Sequence, residues 1–377
     1  MSGLYVHIPF CVRKCGYCDF YSVKCGKDNH FIAVFMKNIV KEIILKSYLF
    51  ENETIQTIYF GGGTPSILPF EMIETIFNTI RDNYKLSENL ECTIEINPEH
   101  ATEEYFFALK NSGFINRLSA GFQAMDDQGL EYLGRNHSVK DNYRYLNLCE
   151  KYGFDNFSVD YIFGYEILTE KEIEKSMKFF ADKKIPHISA YSLGIEENTI
   201  FYKKLLSGKI HKPDDEFFLR QFRLVHSLLE SQGYNHYEIS NYSLPEKHSR
   251  HNSNYWDFVP YLGFGPSAHS YYNNSRSWNS RRLPEYFQQI DGQKHFEENE
   301  VLTPTDIFNE RIMLGLRTKK GLEISYLKCR FPQFFDSFIK KVKSRELIEY
   351  FEFNSDYLKL NLDGVFISDY IISELFE

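Results

Sequence analysis

His7-Ile8-Pro9-Phe10-Cys11-Val12-Arg13-Lys14-Cys15-Gly16-Tyr17-Cys18 sets three thiols within eight residues, directly after a short apolar strand, Gly3-Leu4-Tyr5-Val6. A cubane iron–sulfur cluster ordinarily takes four thiolates on its four irons, so three leave one iron open to another ligand. Zinc is the competing reading. A structural zinc site wants four closed ligands, usually as paired Cys-x-x-Cys arms, and the second arm is missing here. Spacing therefore favours an iron–sulfur cluster on Cys11, Cys15 and Cys18, with zinc and unligated thiols as the alternatives.

Outward from that stretch, short β-rich runs alternate with amphipathic ones, as in parallel βα units. The strands read are Leu4–Ile8, Thr54–Phe60, Glu91–Asn97, Asn116–Phe122, Asn156–Phe163 and His187–Leu193. Between them lie helical patterns at Asp28–Leu49, Pro69–Tyr84, Thr102–Ser112, Lys140–Tyr152 and Glu170–Asp182. The class is α/β, and the rhythm predicts a partial (β/α)6 barrel over residues 1–195. Ligands of such folds sit at the carboxyl ends of the strands.

The loops there carry polar chemistry. Gly61-Gly62-Gly63-Thr64-Pro65 follows the second strand and lets backbone approach a ligand, although a glycine turn between strand and helix is as often structural. It lacks the Lys-Ser/Thr ending of a phosphate loop. In Glu95-Ile96-Asn97-Pro98-Glu99, Glu99 reads as an acid in the first turn of a helix. Glu95 alternates with Ile94 and Ile96 and so faces the barrel interior, where a carboxylate needs a partner. Gln123, then Arg135 in a helix carrying Arg135-Asn136-His137, and Asp160 in the fifth strand fit either a salt-bridged network or the polar rim of a small-molecule site.

Residues 196–299 leave the βα rhythm, and with a long helix at Asp214–Gln232 they read as a cover over the barrel mouth. They contain His251-Asn252-Ser253-Asn254-Tyr255-Trp256, where His251 fits either a hydrogen-bonded structural group or a ligand to metal or heme. The flanking aromatics suit a flat ligand. Residues 300–377 read as a smaller α+β, winged-helix-like domain with a hairpin at Leu347–Phe353 and Tyr357–Leu362. Such domains bind DNA elsewhere, but Lys340-Lys341-Val342-Lys343 is one modest basic cluster on a chain of net charge −9, which argues against nucleic acid.

The 377 residues are 43% apolar, enough for a large core. Beyond the loop, Cys25, Cys92, Cys149 and Cys329 are scattered without a repeating spacing, which implies a reducing cytosol rather than a disulfide framework. The start Met1-Ser2-Gly3-Leu4 lacks a secretory pattern and no run approaches twenty apolar residues, so the expectation is neither a secreted nor a membrane-spanning protein. The many Phe and Tyr, 17% with Trp, reflect compositional bias more than a planar ligand.

Together these residues resemble, from end to end, the radical S-adenosylmethionine (SAM) superfamily, in the branch of oxygen-independent coproporphyrinogen III oxidases and HemW-type heme chaperones. The resemblance implies a [4Fe–4S] cluster on Cys11, Cys15 and Cys18, with SAM on the fourth iron. It implies SAM contacts for Tyr5, Tyr17, Gly62, Gly63, Thr64 and Glu95, and a second SAM position lined by Gln123, Arg135 and Asp160. Cys25 has no counterpart. Three features point toward the chaperones: Phe20 stands where the oxidases carry a further cysteine, four residues precede Tyr5 where the oxidases have a long arm, and His251, Asn252, Tyr255 and Trp256 fit a His-Asn-x-x-Tyr-Trp motif associated with heme. One departure is Gly164-Tyr165-Glu166-Ile167-Leu168, where the family has Gly-Leu-Pro-Gly-Gln, which puts the second SAM position in question. The implied function is a cytoplasmic heme chaperone, peripheral to the inner membrane, that hands heme to respiratory membrane proteins, with a homodimer as a further expectation. The alternative is oxidative decarboxylation of coproporphyrinogen III; a third reading is radical chemistry on an unrelated substrate.

Overall fold

The computed structural model describes residues 2–25, 30–354 and 356–377. Six strands, β1 (Ser2–Ile8), β2 (Thr54–Gly62), β3 (Lys85–Ile96), β4 (Arg117–Gln123), β5 (Phe157–Phe163) and β6 (His187–Ser192), lie side by side in chain order. All are parallel to their neighbours. Outside them run α1 (His30–Lys46), α2 (Phe70–Asn83), α3 (Glu103–Ser112), α4 (Asp127–Leu133), α5 (Val139–Tyr152) and α6 (Glu170–Asp182). The expected first helix began at Asp28, which lies outside the described residues.

Strand alternation explains the layering. Leu4, Val6, Ile58, Phe60, Ile94, Leu118, Val159 and Ile188 point outward and are fully buried under the helices. The opposite parity is polar yet also buried: Thr57, Thr93, Ser119, Ser158, His187 and Ser189. Parallel sheets are ordinarily apolar on both faces. A polar inner face marks the barrel interior as the chemical surface.

Residues 196–299 take a different course from the expected cover. α7 (Ile200–Leu206) does reach the mouth, where the Phe201 amide donates to Gly16 O at 2.8 Å. α8 (Asp215–Ser231), however, packs on α6 in the outer layer. β7 (Asn235–Glu238) and β8 (Asn241–Ser243) extend the sheet beyond β6, with β8 antiparallel to it. α9 (Arg250–Trp256) then leads to β9 (Tyr261–Phe264), which pairs parallel to β1. From there β10 (His269–Tyr272), β11 (Ser275–Trp278) and, after α10 (Leu283–Asp291), β12 (Glu298–Val301) continue antiparallel. The barrel stays open, with β7 and β12 as its edges.

The last part is a separate α+β body. α11 (Pro304–Leu316), β13 (Leu322–Glu323), α12 (Ile324–Arg330), α13 (Pro332–Val342), β14 (Phe351–Phe353) and β15 (Tyr357–Leu360) give the helix–strand–helix–helix–hairpin order of a winged helix, with sheet order β13-β15-β14. Its own core holds Phe308, Ile312, Phe338 and Leu358, closed by Ile371 of α15 (Ser368–Leu375), which follows α14 (Leu362–Phe366). The hairpin's first strand starts later than expected because Ile348–Tyr350 wind into a 3-10 turn. Ser355 at its tip lies outside the described residues. Among the described residues no helix is long and apolar enough to cross a membrane.

Candidate functional site at the barrel mouth

The cysteine loop leaves the carboxyl end of β1 and is closed at its base by a two-residue parallel ladder, Phe10–Cys11 with Val23–Lys24. His7 clamps that base. Its Nε2 donates to Tyr21 O at 3.0 Å, so Nδ1 is the acceptor for Tyr5 Oη at 3.1 Å. Burial lowers His7 to about 4, which fits this neutral tautomer. The Gly63 amide donates to Ile8 O at 2.8 Å, and a Cβ at Gly63 would sit 2.7 Å from Phe10 O. Gly62 has φ +108°, and a Cβ there would meet the His7 ring at 2.5 Å. In this structure the glycines serve close packing of the β2 turn against the cysteine loop.

Around the thiols, Arg135 Nη1 donates to Cys15 Sγ at 3.4 Å and Thr64 Oγ1 to Cys11 Sγ at 3.5 Å. Asn97 bridges these two donors: its Oδ1 accepts from Arg135 Nη2 at 2.8 Å and its Nδ2 donates to Thr64 Oγ1 at 3.5 Å. Burial pushes the Cys11 thiol up and Cys18 up to about 11; the Cys15 charge adds to both, and the Cys11 charge to Cys18. Among the described residues no three His, Cys, Asp or Glu side chains converge closely enough to form a ready metal cage. Tyr17 packs edge-on against Phe201, close to Arg135 and Cys15. Arg135 itself lies in the turn after α4, not in a helix, because Gly134 ends α4 in the left-handed region. Its Nε donates to His137 Nδ1 at 3.4 Å.

Two half-buried carboxylates, Glu95 and Asp160, lie on the inner face of the barrel. Glu95 accepts from Tyr59 Oη at 2.8 Å and from the Gly62 amide at 3.2 Å; burial first, then the Asp160 charge, raises it to about 7. Burial raises Asp160 to about 6 against hydrogen bonds from Ser189 and Gln123 and the charge of Arg135. Gln123, Arg135 and Asp160 thus form one group, with Gln123 held at φ 64°. Glu99 lies in a 3-10 turn, Pro98–His100, while α3 is capped separately by Thr102. The loop that lacks the family's Pro-Gly is pinned by Gln221, whose Oε1 accepts from the Gly164 amide at 2.8 Å and whose Nε2 donates to Leu168 O at 2.9 Å.

The His-Asn-x-x-Tyr-Trp stretch is at the other end. α9 closes the floor of the barrel, beside Gly3 and Thr57 near the starts of β1 and β2. The His251 ring is buried, with Nδ1 2.9 Å from Thr57 Oγ1 and Nε2 2.9 Å from Tyr255 Oη. Burial holds it neutral, lowered to about 3. Glu91 accepts from the amides of His251 at 2.9 Å and Arg250 at 3.2 Å, an acid on the first turn of α9. Asn252 and Trp256 are half-buried on the same helix. A column of rings links the two ends: His251 stacks on Tyr59 at 5.1 Å, and Tyr59 on Tyr5 at 6.1 Å.

His7, Tyr59 and Asn97 are the site residues that sequence reasoning did not single out. Tyr59 shares the inward parity of Thr57 in its strand, and that parity is the signal that could have found it.

Comparison with known proteins gives the family and the fold. The pattern of the Radical SAM superfamily matches residues 5–180, and that of the HemN C-terminal domain matches residues 302–367. The heme chaperone HemW of Lactococcus lactis is 31% identical over 351 residues, spanning 92% of this chain and 90% of that protein. The heme chaperone HemW of Bacillus subtilis is 33% identical over 338 residues, spanning 88% and 86%. Among solved structures, coproporphyrinogen III oxidase (HemN) from Escherichia coli superposes with a TM-score of 0.86 at 21% identity, covering 100% of this chain and 90% of that one, which shows the fold. The chain belongs to the radical SAM superfamily and, within it, to the family of the HemW proteins.

Proposed function

We propose that this protein is a heme chaperone that binds heme and passes it to respiratory membrane proteins, on a scaffold that also holds a SAM-ligated [4Fe–4S] cluster. The observation that carries the reading is the similarity to heme chaperones over 92% of the chain, joined to the presence of His251, Asn252, Tyr255 and Trp256 on one helix. Superfamily membership implies the cluster and SAM. The donor set fits: Cys11, Cys15 and Cys18 would hold the cluster, and the Arg135 guanidinium beside Cys15 suits an anionic centre. When bound, the pair supplies one-electron cleavage of a sulfonium. Tyr5, Tyr17, Gly62, Gly63, Thr64 and Glu95 are proposed for SAM, and Gln123, Arg135 and Asp160 for a second SAM position.

His251 is proposed as an axial ligand to heme iron. Both its nitrogens are hydrogen-bonded, so ligation requires either α9 to turn away from Thr57, freeing Nδ1, or the Tyr255 hydroxyl on the same helix to give up Nε2. Titration of the purified protein with heme, followed by absorbance, tests this. His251→Ala loses the ligated spectrum; equal binding by wild type and variant refutes the ligand role. The intact mouth favours a second reading, oxidation of coproporphyrinogen III. Protoporphyrinogen formed anaerobically by reconstituted, reduced protein with SAM would establish it in place of a chaperone-only role.

A further inference from the structure

Behind α9 lies a cleft that no part of the mouth uses. One cavity of about 300 Å³ is lined by Tyr271, Asn274, Arg311, Tyr326, Arg330 and Phe331, between β10 and the C-terminal domain. A second, of about 250 Å³, shares Tyr271 and adds Tyr255, Phe258, Tyr261 and the ion-paired Arg276 and Glu310. Together they are of the size of small-molecule sites, about 300–1,000 Å³.

The charge is one-sided. Among the described residues no acidic side chain lines the larger cavity, although the chain as a whole carries −9. Arg311 is held between rings, 3.6 Å above Phe258 and 5.2 Å from Tyr326, and its buried Nε has no hydrogen-bond partner among the described residues. Exposed Arg330 is the second guanidinium of the same cavity. Such forks match carboxylates, and a stacked arginine is already oriented for one. The position is also specific. Tyr255 has its hydroxyl on His251 inside the barrel and forms part of the second cavity's lining, so α9 is the wall between floor and cleft.

We infer that this cleft takes the carboxylate edge of a tetrapyrrole, with Arg311 and Arg330 on its propionates and Tyr271 and Tyr326 along its rim. The inference rests on the heme-chaperone reading and deepens it: cargo and cluster occupy opposite ends of the barrel, and the C-terminal domain supplies half of the cargo site.

The test compares heme with its dimethyl ester, in which both carboxylates are masked, on the full-length wild type and on Arg311→Gln/Arg330→Gln. Wild type binds heme about tenfold or more tighter than the ester, and the double variant loses that factor for heme while treating both ligands alike. If the double variant is poorly folded by its melting curve, Arg330→Gln alone, on an exposed side chain, still weakens heme by about threefold. Unchanged heme affinity in the variants, or a wild type indifferent to esterification, overturns the inference and leaves the chaperone reading intact. A wild type that binds neither ligand overturns both. Variants that keep heme affinity but lose binding of polyglutamate assign the arginines to an acidic protein partner and likewise overturn it.

Discussion

The mouth and the floor of this barrel are built from the same six strands yet treat charge in opposite ways. At the floor a neutral imidazole is caged between two hydroxyls, and an acid caps the helix that carries it. At the mouth the Arg135 guanidinium lies on Cys15, and burial raises two carboxylates, Glu95 and Asp160, and two thiols, Cys11 and Cys18. Burying charges together costs several kcal/mol per ion unless a ligand or partner repays it. The mouth is therefore arranged for a charged ligand, whereas the floor is complete until something draws α9 away.

The largest effect separates the two ends outright. Cys15→Ser removes one of the three thiols and should abolish cluster loading after anaerobic reconstitution with iron and sulfide, read as iron per chain and visible absorbance, while heme titration stays as in wild type. Loss of heme binding together with the cluster would show that the ends are coupled, with the ring column His251–Tyr59–Tyr5 as the connection to examine.

Next in size is Gly63→Ala. The added methyl would lie 2.7–2.9 Å from backbone atoms of Phe10 and Ile8, which cannot step aside as a side chain would. Overpacking of this kind costs about 1–3 kcal/mol. A lower denaturation midpoint and poorer cluster loading are expected, with heme affinity unaffected.

Acidity distinguishes the ends by sign. His251 is held at about 3 and His7 at about 4, against about 6.5 in an unfolded chain. Below pH 6.5 the unfolded state takes up protons that the folded state refuses, so their contribution, complete above 6.5, is lost as pH falls toward 3. Glu95 at about 7 and Asp160 at about 6 act the other way. Their folded forms keep protons that the unfolded chain releases near pH 4, so their contribution is complete below 4 and lost as pH rises toward 7. Asp160→Asn should accordingly raise the melting temperature at pH 8 relative to pH 5 by about 1–2 °C, an effect near 1 kcal/mol. His251→Gln should instead flatten the decline between pH 6.5 and 4. Melting curves across pH 4–8 check both.

How much of this was legible follows from what each pattern encodes. Five of the six strands begin within two residues of their expected starts, because alternation and β-branched content are local. β3 starts six residues early, at Lys85 rather than Glu91, in a polar stretch without that alternation. The helix after the fourth strand was expected to carry Arg135-Asn136-His137 but ends before them: α4 is Asp127-Gln128-Gly129-Leu130-Glu131-Tyr132-Leu133, short and with a glycine inside, although the Asp126 cap and Gly134 stop are there to read. The same parity exposed Glu95, but Tyr59 was passed over because an aromatic in a strand reads as core. The floor position of His251 was beyond reach. Which end of a barrel a later helix closes depends on β9 pairing with β1, a contact between residues more than 250 apart that no local pattern carries.

The last effect bears on how firmly α9 is held. The amides of Arg250 and His251 donate to separate oxygens of Glu91, so Glu91→Gln keeps an oxygen for only one of them, turns an NH2 donor toward the other and removes the negative charge from the first turn of the helix. A charge there contributes about 0.3–1 kcal/mol, toward the upper end here because the carboxylate is buried. With the hydrogen bond that is lost as well, the loss in global stability should be about 1–2 kcal/mol. If α9 must leave the floor for His251 to reach iron, the same substitution should speed heme association, since the closed state has lost part of its hold while the open one has not. Stopped-flow mixing with heme measures this, and an unchanged rate would mean that cargo enters without moving α9.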